Sequence, residues 1–107
     1  AKFTSVRYPI IPASATDRNG VGGLELSVAR INERGLNLQM DHFCIVSVVR
    51  GQGVVQMAGV ERALGVHDLF SVPGGISAFL RQEGKAPLVT LDAVITSGQS
   101  ARRYGSV

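Results

Sequence analysis

The 107 residues include 45% apolar side chains, 18% charged ones and a net charge of +3. One domain with an adequate core fits those figures; a disordered segment and a two-domain chain do not. No apolar run approaches the roughly 20 residues that span a bilayer, and one cysteine cannot form an internal disulfide, so the expected setting is intracellular.

The positive excess comes from nine Arg and two Lys against eight acids. Arg7, Arg18, Arg30, Arg34, Arg50, Arg62 and Arg81 are dispersed, without interleaved aromatics, and read as a solvated surface. That is a poor footprint for direct nucleic-acid binding.

Residues 1–21 read as an arm and loop. Tyr8-Pro-Ile-Ile-Pro12 is an extended, Pro-bounded apolar piece, and Arg18 to Gly23 is a Gly-rich loop. Leu24 to Ile31 alternates, with Leu24, Leu26, Val28 and Arg30 on one face and Glu25, Ser27, Ala29 and Ile31 on the other. A turn falls near Asn32 to Gly35. Phe43 to Val49 is apolar on both parities and rich in β-branched residues, as expected of a strand covered on both sides. Gly51-Gln-Gly53 reads as a turn, followed by strands over Val54–Met57, Val60–Leu64 and Leu69–Val72. Ala58-Gly59 and Gly65 to Asp68 separate them, and Asp68 is expected to bond turn amides. Pro73-Gly74-Gly75 ends the series. Ile76 to Arg81 and Leu88 to Ile95 make two further strands around the polar turn Gln82 to Lys85. Ser97 to Val107 is a Gly/Ser/Arg tail. Short strands at this spacing predict an all-β sandwich or barrel over residues 22–96 with little or no helix, and a flexible tail over 97–107.

The punctuation from roughly Gly22 to Ile95, most of the chain, resembles the cupin superfamily in motif spacing. Its first motif has two histidines one residue apart, then a glutamate, six residues and a glycine. Counted back from Gly51, Cys44 stands at the glutamate, and Leu38 and Met40 at the histidines. The second motif runs Gly-Asp, four residues, Pro, one residue, Gly, two residues, His. Here His67-Asp68, Pro73 and Gly75 follow that spacing, Ala78 stands at the histidine, and Gln82 at a later asparagine. The resemblance implies a small jelly-roll barrel. The ligand positions offer one thiol and one thioether, so no metal and no cofactor is expected.

With Cys44 pointing inward, alternation sends Leu38, Met40, His42, Val46 and Val48 the same way, toward a cavity shared with Ala78 and Gln82. His42 is then a candidate general base, assisted by Cys44 or Asp41, against a core histidine tied to a backbone carbonyl. Cys44 in an apolar strand reads as a small hydrophobe. No Gly-x-Ser-x-Gly elbow or P-loop occurs.

The opposite face of the same strand, Phe43, Ile45, Ser47 and Val49, would meet water on an isolated barrel. Together with Tyr8 and Ile10 it is the expected homodimer interface, with the Val6–Pro12 arm crossing to a neighbour's edge strand. A metal-free cupin serving self-association resembles the C-terminal cupin of the CENP-C family, which implies a second copy, another kinetochore protein and a nuclear, centromeric setting. An alternative resemblance, to the AraC-type regulatory cupin, implies a small-molecule effector in a bacterial cytoplasm. A third reading is a metal-independent epimerase, cyclase or lyase using His42.

Overall fold

The computed structural model describes residues 4–13 and 23–96. Among these, nine strands follow in chain order: β1 (Val6–Ile11), β2 (Leu24–Ile31), β3 (Leu36–Gln39), β4 (Cys44–Arg50), β5 (Gln52–Met57), β6 (Val60–Leu64), β7 (Leu69–Val72), β8 (Ser77–Glu83) and β9 (Leu88–Ile95). They form a five-stranded sheet, β1-β2-β9-β4-β7, and a four-stranded sheet, β3-β8-β5-β6. All pairs are antiparallel. The fold is an all-β jelly roll. Among the described residues no helix is long and apolar enough to cross a membrane.

The inner faces meet in one core, in which Ala29, Ile31, Cys44, Val46, Val48, Leu80 and Leu88 are almost wholly buried. The period of two puts them there: Cys44, Val46 and Val48 alternate along β4, as do Ala29 and Ile31 along β2. Gly51 makes the β4–β5 turn at a φ of +82°, a conformation in which side chains are strained. The turn is tighter than expected, because Gln52 already belongs to β5. Gly53 is buried in that strand, and a Cβ there would meet Leu88 Cδ2 at 2.6 Å.

Three other differences have physical causes. The segment expected to reach a neighbour is the edge strand of its own sheet: β1 pairs with β2, Tyr8 opposite Val28 and Arg7 opposite Ala29. Pro9 has no N–H to offer a further strand, which suits this edge position. Leu36–Gln39 is a strand in the second sheet, while β4 lies in the first. The chain changes sheets through residues 40–43, and on either side of that bend Leu38, Cys44, Val46 and Val48 are buried in the core while Met40 packs against it. Finally, β8 continues to Glu83 and takes Gln82 out of the expected turn. The expected tail from Ser97 and the loop from Arg18 to Gly22 lie outside the described residues.

Candidate functional site

The positions that hold metal in the family pattern are packed with core side chains. Leu38 pairs with Ala78 across β3 and β8, and Cys44 pairs with Val72 and Val94. Leu38, Cys44, Val46 and Ala78 belong to the core cluster, Met40 packs against it, and Gln82 is buried with its amide donating to Gly84 O at 2.9 Å. Burial pushes the Cys44 thiol up to about 11, Asp92's charge adding to the shift and Arg7 opposing it. A protonated thiol and a thioether, with apolar neighbours, do not fit a first-row ion. The same burial argues against Cys44 as a nucleophile, since the thiolate is the reactive form.

His42 lies outside both β3 and β4. It is half-buried in the bend between β3 and β4, next to exposed Asp41. That bend is held by the β7–β8 turn, where Gly75 N donates to Met40 O at 2.8 Å. Among the described residues no hydrogen bond joins His42 to Asp41 or Cys44, so the three are not assembled as an acid–base set. His67 takes the place of the family's glycine and has a φ of +80°, a left-handed conformation in which Cβ crowds the backbone. Beside it, Asp68 accepts from Gly65 N at 2.7 Å, the expected turn bond.

The interior has a polar corner that sequence reasoning did not single out. Arg7 Nε donates to Asp92 Oδ2 at 3.0 Å, from β1 to β9 beneath β2. The Asp92 side chain is 1% exposed. Burial raises its pKa, while Thr90 and Arg7 oppose the rise. Thr90 lies near enough to favour the carboxylate, but its hydroxyl completes no hydrogen bond. Ser27 is the register partner of Asp92. The signal was present in the sequence: an acid at position 92 between Leu91 and Ala93, in a strand apolar on both sides, needs a cation within reach.

Outside the same sheet the chemistry reverses. Register aligns Tyr8, Val28, Leu91, Ser47 and Leu69 in one row across all five strands, and Ile11, Leu26, Ala93, Ile45 and Ser71 in the next. Neither row contains a charge. Leu24 and Ile95 extend the surface beside Phe43, whose carbonyl accepts from Ile95 N. Arg30 and Arg50 stand at the opposite end. Tyr8 is 50% exposed, Leu69 67%, Phe43 42% and Val49 49%. Of the expected interface residues, Tyr8 and Ile45 fall in these rows, Phe43 lies at the margin, Val49 is a bulge residue opposite β9, and Ile10 is a bulge residue on β1. A separate depression of about 510 Å³ opens at the β5–β6 hairpin, lined by Met57, Val60, Glu61 and Phe79.

Two antiparallel sheets closing on an apolar interior, with this strand order, define a cupin-type barrel, and comparison with solved structures agrees. The cupin domain of Schizosaccharomyces pombe Cnp3 superposes with a TM-score of 0.74 at 11% identity, covering 97% of this chain and 73% of that one. The cupin domain of an XRE-family transcriptional regulator from Enterobacter cloacae gives 0.69 at 12% identity, covering 86% and 96%. The DMSP lyase DddQ of Ruegeria pomeroyi gives 0.69 at 21% identity, covering 86% of this chain and 47% of that one. At these identities the likeness is one of fold. No protein-family model matches the chain, and no curated protein sequence matches it.

Proposed function

We propose that this cupin-fold chain is a non-catalytic association module, two copies packing through the outer face of the five-stranded sheet. The observation that carries this reading is the pair of charge-free cross-strand rows. At about 4.8 Å between strands and 3.4 Å per residue, two rows of alternate residues across five strands present roughly 330 Å² in projection. That is the size of the largest contiguous apolar patch on a typical monomer, about 300–600 Å², which is often a functional surface. A second copy is the favoured occupant because the surface offers no charge pattern to select a different partner, and an apolar face is complementary to itself under two-fold symmetry. An antiparallel arrangement also places the Arg30 and Arg50 ends of the two copies far apart. Within a larger protein such a module would pair its host chains, as the CENP-C resemblance implies.

Sedimentation equilibrium on the wild type and on Leu69→Asp/Val49→Asp tests this. Both residues are exposed, so the fold should persist while a wild-type dimer in the micromolar range becomes a monomer. A wild-type monomer at that concentration would remove the proposal.

A second reading, a small-molecule effector domain, draws on the buried polar corner and on the fold shared with the cupin of a transcriptional regulator. A ligand-induced rise in melting temperature would support it.

A further inference from the structure

Four buried polar atoms at the β1–β2–β9 corner have no hydrogen-bond partner: Arg7 Nη2, Ser27 Oγ, Thr90 Oγ1 and Asp92 Oδ1. They belong to one neighbourhood. Ser27 and Asp92 are register partners, Thr90 lies two residues along the same face of β9, and Arg7 reaches over from β1. Ser27, Thr90 and Asp92 are 0%, 1% and 1% exposed. Folded interiors leave few such groups unmatched, so four together call for a partner.

The chemistry of the four narrows what that is. An arginine and a carboxylate in fork geometry exchange two parallel hydrogen bonds. Here one forms, between Nε and Oδ2, so Nη2 keeps an unused donor and Oδ1 an unused acceptor. The two charges offset each other, and a charged guest would leave a net charge buried. A hydroxyl both accepts and donates through one oxygen, and the hydroxyls of Ser27 and Thr90 can turn to do either.

We propose that this corner is a binding site for a neutral hydroxyl group, which accepts from Arg7 Nη2 and donates to Asp92 Oδ1 with Ser27 and Thr90 beside it. The hydroxyl belongs either to a resident water or to a small alcohol-bearing molecule. Binding has a structural consequence. Arg7 is the one residue of β1 that is not exposed, so the bridged pair is the strand's side-chain anchor to the interior. The bound hydroxyl therefore also holds β1, and with it Tyr8, in position. The site is independent of self-association and would exist in a monomer.

Water–amide ROE spectroscopy on the whole chain, with and without ethylene glycol, tests this. A long-lived water near the amides of Ser27, Thr90 and Asp92 identifies water as the guest. Saturable glycol-induced shifts confined to the same amides, with loss of the water signal, identify an alcohol. Either signal should vanish in Thr90→Val and in Ser27→Ala, measured separately so that one folding failure does not decide the result. The β1 amides should then exchange several-fold faster than in the wild type. Absence of both signals in the wild type, or signals unchanged in both variants, would overturn the proposal.

Discussion

The inner and outer faces of the five-stranded sheet contradict the simplest expectation in opposite directions. Inside, the guanidinium of Arg7, 20% exposed, and the carboxylate of Asp92, 1% exposed, meet beneath β2. Outside, two rows of aliphatic and aromatic side chains, with Ser47 and Ser71 among them, cross all five strands without a charge. Apolar side chains are often exposed singly, so exposure alone teaches little; a contiguous apolar sheet face and a buried ion pair are the informative departures. The first concerns what the protein meets, and the second concerns how its edge strand is held.

The largest expected effect comes from the inner face. Asp92→Ala leaves Arg7 without its partner and should cost about 3–5 kcal/mol in urea unfolding, as removing one member of a buried pair does. Leu80→Ala, which opens a cavity in the shared core, should cost about 2–5 kcal/mol by the same measurement. If Asp92→Ala costs no more than a surface substitution, the corner is not an anchor.

The pH dependence sharpens the contrast. Burial raises the folded-state pKa of Asp92 above its unfolded value. The native chain therefore holds that proton more tightly. The carboxyl's contribution is full below the unfolded pKa and falls as pH rises through the folded one. Urea midpoints for Asp92→Asn should lack this decline, whereas the wild type should show it.

Smaller effects are expected at the surface. His67→Gly should relieve the left-handed strain and raise stability by about 1 kcal/mol. Leu69→Ser should move the stability of the isolated chain by no more than about 0.5 kcal/mol, while weakening self-association in sedimentation. A loss of several kcal/mol there would mean that the outer face belongs to the monomer's own core.

Most of the strands were legible in the sequence because turn residues bound them: Gly65 to Asp68 and Pro73 to Gly75 are unambiguous breaks around Leu69–Val72. Leu36–Gln39 was harder, since four residues give too little alternation to stand out. The β1 segment read as a free arm because two prolines flank Ile10 and Ile11, and nothing local reveals that Arg7 has a partner 85 positions away. Its guanidinium looked like one of several dispersed surface charges. The apolar nature of Leu38 and Ala78 at the ligand positions was evident from spacing alone. The bend at Asp41 and His42 was not, because no Gly or Pro marks the point where the chain leaves one sheet for the other. Part of the outer face, Leu26 and Val28 on β2 and Leu91 on β9, was visible only as apolar residues on two strands until register aligned them.

The central claim, that the outer sheet face is where two copies meet, is tested most directly by intermolecular NOEs in an equal mixture of differently isotope-labelled chains. Contacts between methyl groups of Val28, Leu91 and Ile45 on one copy and the same rows on the other are expected. Their absence at concentrations where the chain sediments as a dimer, or contacts confined to the β5–β6 hairpin, would contradict it.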